Sequence, residues 1–77
     1  MGTHKAAVTC TKYLEYLNLY TEKEKAYDEQ IVLVLINNLD ILGDDVAVDA
    51  LQYTAFLNYT HRIKEAAQEA ADKLLGI

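Results

Sequence analysis

The chain of 77 residues contains no proline, no tryptophan and no serine, and only three glycines and one cysteine. Without serine it cannot supply a serine nucleophile, nor the serine that carries phosphopantetheine in acyl carrier proteins. The single cysteine, Cys10, excludes an internal disulfide bond and fits a reducing compartment. The longest apolar run has six residues, which is far too short to span a bilayer. We therefore expect a cytoplasmic protein with no membrane partner.

Basic residues are absent between Lys25 and Arg62, whereas the whole chain has a formal net charge of −5. Four carboxylates gather around one expected turn, namely Asp40, Asp44, Asp45 and Asp49. One interpretation is an acidic docking surface for a basic protein partner. The other is local helix capping and solubility, because aspartate is favourable near a helix N-terminus. Without a stripe of lysine or arginine, nucleic acid is not an expected partner.

The apolar run is Ile31–Ile36, and its composition alone fits either a buried strand or a buried helix. Its flanks favour a helix, because residues 22–26 are strong helix formers and the apolar pattern continues to Leu42. Six consecutive apolar residues point in all directions around a helix axis. The sequence therefore predicts a helical segment that is covered on every side.

Three helices are predicted, over residues 4–20, 22–42 and 45–75. The first predicted apolar stripe comprises Ala6/Ala7, Cys10, Tyr13/Leu14, Leu17 and Tyr20. Thr21 either begins a new helix, through a capping box with Glu24, or lies within a helix that continues to Leu42. We favour a break near Thr21. Gly43 is expected to end the second helix in a left-handed conformation and Gly76 the third, with Ile77 folding back.

The expected fold class is all-α: a single domain over residues 1–77 that forms a small antiparallel helical bundle. The bundle has three helices, or is a long helical hairpin if the chain continues through Thr21. Two segments, 31–42 and 46–57, are apolar on nearly all sides, which predicts completion of the bundle by dimerisation. The candidate self-association residues are Ile31, Val34, Leu35, Val48, Leu51 and Phe56.

Residues capable of metal or acid–base chemistry are sparse: His4, Cys10 and His61 are the only soft ligands. His61 and Glu65 can pair on a helix, where a solvated ion pair is the simpler interpretation. We expect no catalytic residue, cofactor or metal. The sequence is most consistent with a non-enzymatic protein-interaction module, a regulator or inhibitor that binds its partner as a homodimer. The alternatives are a structural assembly subunit, or a small enzyme or metal-dependent factor.

Overall fold

The computed structural model describes residues 3–76, of which 85% are helical and none form a strand. Helix α1 spans Thr3–Glu24, α2 Glu29–Leu42, α3 Val48–Phe56 and α4 His61–Leu75. A 3-10 helix, Asp45–Ala47, leads directly into α3. The all-α prediction is confirmed, but the bundle has four α-helices where three were predicted.

Contacts at the helix ends define the direction of each helix. His4, near the start of α1, hydrogen-bonds Asp44, just after α2, over 2.5 Å, so α1 and α2 are antiparallel. Thr60 donates to Glu29 over 2.8 Å. Lys73 lies 3.1 Å from Asp40. The first contact joins the starts of α2 and α4 and the second joins their ends, so the two helices are parallel.

Helix α1 continues through Thr21, so the predicted break lies four residues further along the chain. Lys25 ends the helix with a left-handed φ of 60°, and its N–H donates to the Thr21 carbonyl over 2.8 Å. Asp28 then caps α2 by accepting a hydrogen bond from the N–H of Ile31. Asp28 therefore performs the capping role that the sequence analysis gave to Thr21.

Replacing Lys25 with glycine should stabilise the protein by about 1 kcal/mol. A lysine pays a steric cost in the left-handed region that a glycine avoids. Urea unfolding monitored by circular dichroism measures the change. The matched control is Lys23→Gly, which lies inside α1 and should destabilise by about 1 kcal/mol. A Lys25→Gly variant that loses as much stability as the control would contradict this account of the helix end.

Both predicted glycine caps are confirmed. Gly43 has a φ of 67°, and its N–H donates to the Leu39 carbonyl. Gly76 ends α4 with a φ of 79°. The predicted folding back of Ile77 lies outside the described residues. Asp44 begins the next element, accepting a hydrogen bond from the N–H of Val46 over 2.9 Å.

The single helix predicted over residues 45–75 is wrong, because the chain leaves the helical conformation at residues 57–60. Leu57 is extended, with a ψ of 172°, and Thr60 caps α4 by accepting from the N–H of Ile63. No glycine or proline marks this break. It turns both Leu57 and Tyr59 into the core, where each is at most 9% exposed. Burial of these two side chains outweighs the local helical propensity.

Each α-helix contributes a fully buried large side chain to one core: Leu14, Leu39, Leu51 and Ile63. The accessible surface of 5028 Å² is close to the roughly 4,700 Å² expected for a folded monomer of this mass. One chain therefore closes its own core. Completion of the bundle by dimerisation stays a prediction.

The buried face of α1 is rotated by about one residue from the predicted stripe. It consists of Ala7, Thr11, Leu14, Asn18 and Thr21. Tyr13 and Tyr20, which the apolar pattern placed inside, are about half exposed. The apolar pattern did not identify this face of α1, because three of its five buried residues are polar. The apolar run in α2 also differs from expectation, because Ile31 and Val34 remain exposed.

Candidate functional site

The six predicted self-association residues divide into two groups. Leu35, Val48 and Leu51 belong to the core of the single chain and are buried. Ile31 and Val34 are exposed on α2, and Phe56 is 78% exposed at the end of α3. Only the exposed group is accessible to another molecule. Self-association itself stays a prediction.

The four predicted docking carboxylates also divide into two groups, those that make internal contacts and those that are exposed. Asp40 pairs with Lys73. Asp44 caps the 3-10 helix and pairs with His4; the Val46 N–H and then this histidine lower the pKa of its carboxyl. Asp45 and Asp49 are exposed. Half of the predicted acidic surface is therefore engaged in internal contacts.

A different acidic surface forms where α1 meets α3. Helix α1 contributes Glu15, Leu19 and Glu22, at intervals of four and three residues, so that they share one face. Helix α3 contributes Asp49, Tyr53 and Phe56 at the same intervals. Glu15, Leu19, Asp49 and Tyr53 line a concavity of about 340 Å³ between the helices. We call these six residues the acidic groove.

The acidic groove combines negative charge with exposed apolar surface. Among residues 3–76, no basic side chain lies within ion-pair distance of Glu15, Glu22 or Asp49. The Tyr53 hydroxyl donates to Glu22, and this hydrogen bond raises the tyrosine pKa. The Tyr53 and Phe56 rings are stacked, with centroids 6.3 Å apart. Helical geometry places Lys12 and Lys23 further from the core on the surface of α1 than Glu15 and Glu22. The carboxylates therefore form the inner walls of the groove.

Buried hydrogen bonds hold the walls of the groove together. The Asn18 amide donates to the Thr54 hydroxyl over 3.0 Å, and the Tyr59 hydroxyl donates to the Asn18 carbonyl oxygen over 2.9 Å. Thr54 donates in turn to the Ala50 carbonyl, and Thr21 lies 3.1 Å from the Tyr59 hydroxyl. A buried network of this kind fixes one helix register, because a shifted register leaves polar groups unpaired.

The network makes stability sensitive to alkaline pH. Burial raises the pKa of Tyr59, which is 5% exposed, above its ordinary value of 10.0. Above that value the unfolded chain releases the phenolic proton while the folded chain retains it, so the free energy of unfolding falls as pH rises. Below it, the stabilisation is fully present.

Urea unfolding between pH 8 and 11 should therefore show a steeper loss of stability in the wild type than in Tyr59→Phe. The control is Tyr16→Phe, which removes a hydroxyl from an exposed position. We expect it to retain the wild-type pH dependence. An identical slope for the wild type and Tyr59→Phe would show that burial of this phenol does not contribute.

A second concavity, of about 680 Å³, lies between α2 and α4. Its floor is apolar, and its ionisable residues are Asp40, Arg62, Glu69, Asp72 and Lys73. None of these is a soft nucleophile, and Asp40 already pairs with Lys73. This lining does not support a specific reaction.

Other potential chemistry is equally limited within residues 3–76. His61 lies 3.2 Å from Glu65, as their spacing predicted, but both side chains are mostly exposed. The described residues contain no cluster of three or more potential metal ligands. None of the described helices combines the length and the apolarity needed to cross a membrane.

Hydrophobic periodicity did not single out Glu15, Leu19, Glu22 and Tyr53. The detectable signal was the shared interval of four and three residues, which alternates carboxylate and apolar side chains on α1 and places a carboxylate before two aromatic side chains on α3. It was hidden because the apolar pattern assigned the wrong face of α1 to the core.

Comparisons with protein-family models, with curated proteins and with solved structures found no match to this chain.

Proposed function

We propose that the protein is a non-enzymatic interaction module whose acidic groove binds a basic amphipathic helix of another protein. The observation that carries the proposal is a concavity lined by two carboxylates, Glu15 and Asp49, and by exposed Leu19 and Tyr53. Tyr53 also contacts the third carboxylate, Glu22, and the exposed ring of Phe56. Helices commonly recognise one another by laying an apolar face into a groove between helices. Lysines or arginines beside that face would meet the carboxylates.

The groove is suited to recognition because its positions are fixed before a partner arrives. Asn18 lies beneath it and links α1 to α3 through Thr54. Preorganisation reduces the ordering cost of binding. The negative charge also accelerates encounter with a basic partner, particularly at low ionic strength. The consequence of docking would be regulatory: the bound helix is no longer available to its own partners.

Capture from a cell extract provides a first test. Immobilised wild-type protein should retain a basic protein at a fixed ratio, and Phe56→Ser should lose it because the apolar wall is truncated. The matched control, Leu75→Ser, removes a half-exposed side chain at the end of α4 and should retain the partner. Equal capture by all three proteins would contradict the groove. Long polymers of the chain alone would instead support a structural assembly subunit.

A further inference from the structure

A second surface, on the outer side of α1 and α2, carries little charge. The exposed residues of α2 are Gln30, Ile31, Val34, Asn37, Asn38 and Ile41. None is charged, although the chain has a net charge of −5. Tyr20 of α1 lies beside them, because Leu17, Tyr20 and Ile31 line a groove between α1 and α2 that has Asp28 at its end. Tyr13 lies two helical turns before Tyr20 on the same face of α1. We call this surface the neutral face.

We propose that the neutral face binds a second copy of this chain, with the two α2 helices packed antiparallel about a two-fold axis. Two copies of an acidic protein repel wherever their charged surfaces meet. An uncharged face is where this repulsion is weakest. This proposal is independent of the acidic groove, which lies on the opposite flank of α1.

The spacing along α2 supports a self-complementary contact. Ile31, Val34, Asn38 and Ile41 form one helical stripe at intervals of three, four and three residues. This series reads the same in both directions, as a two-fold interface requires, since the same patch must face itself. With the axis at the level of Ile36, Ile31 faces Ile41 of the second copy and Val34 faces Asn38.

The ends of the two copies are also compatible in this arrangement. Counting outward from the axis brings the loop that contains Lys25 and Asp28 beside the Asp44 and Asp45 turn of the second copy, so that Lys25 offsets part of the negative charge gathered there. Lys25 and Asp45 are exposed in the single chain. In a parallel arrangement, by contrast, the Asp44 and Asp45 turns of the two copies would lie together. Charge therefore favours the antiparallel arrangement.

The available area approaches that of a stable dimer. Tyr13, Tyr20, Ile31, Val34 and Ile41 are between 44% and 73% exposed. Their exposed parts amount to roughly 500 Å² per copy, if a whole large side chain exposes about 150–200 Å². Tyr16 and the exposed amides of α2 add to this. A standard interface buries about 800 Å² on each partner.

Sedimentation equilibrium of the full chain at micromolar concentration should give twice the monomer mass. Val34→Asp places a carboxylate at the centre of the stripe and should raise the dimer dissociation constant by about a hundredfold, since two charges would be desolvated. Gln52→Asp adds the same charge at an exposed position of α3, and this variant should remain dimeric. Ile41→Asp serves as a second disrupting variant, and circular dichroism checks that each variant keeps its helices.

The orientation is tested with a short bismaleimide crosslinker in a Cys10→Ala background. A mixture of Ile31→Cys and Ile41→Cys proteins should give predominantly the mixed crosslinked species. Crosslinks of each variant mainly with itself would overturn the antiparallel arrangement. A monomeric wild type, or a Val34→Asp variant that associates as tightly as the wild type, would overturn the interface itself.

Discussion

Asn18→Ala should lower the free energy of unfolding by about 3 kcal/mol, because it removes a buried amide and leaves partners of that amide unsatisfied. Asn18 is 1% exposed and bonds both Thr54 and Tyr59. A domain of this length has a total stability of about 4–12 kcal/mol, so the variant should remain folded but be visibly weakened. Urea unfolding measures the change. Asn37→Ala, at an exposed position of α2, should alter stability by less than about 0.5 kcal/mol.

A double-mutant cycle with Tyr59→Phe tests whether these residues act together. Tyr59→Phe alone should cost about 1–2 kcal/mol. Once Asn18 is removed, the Tyr59 hydroxyl has already lost its main acceptor, so the double variant should lose about 1 kcal/mol less than the sum of the two single variants. Strict additivity would show that the hydrogen bonds do not form one network.

Leu39→Ala should cost about 3 kcal/mol, whereas Leu19→Ala should change stability by less than about 0.5 kcal/mol. Both leucines lie within helices, but Leu39 is fully buried and Leu19 is 63% exposed. Thermal or urea unfolding at several protein concentrations provides the measurement. The loss for Leu39→Ala should not depend on concentration, because the cavity opens inside one chain. A comparable loss for Leu19→Ala would mean that Leu19 belongs to the folding core.

The sequence predicts the fold class and the two glycine caps well because these depend on local chemistry. Gly43 adopts a left-handed conformation that glycine accepts at low cost, and Asp44 follows as a cap. The helical state of Ile31–Ile36 follows from the strong helix formers around it. These features need no knowledge of distant contacts.

The break after α3 could not be predicted in the same way. Leu57 and Tyr59 leave the helix because the core contains a place for them, and Tyr59 finds Asn18 and Thr21 there. That place is created by residues about 40 positions away in the chain. Thr60, a favourable cap, was the only local sign of the new helix.

The acidic groove was missed for a related reason. Its α1 wall could be recognised only after the buried face of that helix was known, and this face includes the polar residues Thr11, Asn18 and Thr21. Their burial depends on partners from other elements. Hydrophobic periodicity instead selected Tyr13 and Tyr20, which are half exposed.

The most direct test of the proposed function is titration of a labelled basic amphipathic helical peptide, with fluorescence anisotropy as the readout. Wild-type protein is compared with two double variants of equal net charge. Glu15→Gln with Asp49→Asn alters the acidic groove; Glu65→Gln with Glu69→Gln alters exposed positions on α4. The same peptide with glutamates in place of its lysines serves as a negative control.

We predict that the groove variant weakens binding roughly tenfold, since two exposed ion pairs are lost, while the α4 variant binds nearly as the wild type does. Wild-type affinity should fall as salt increases, because exposed charges are screened. Equal weakening by the two double variants would show that binding follows net charge alone, and would contradict recognition by the acidic groove.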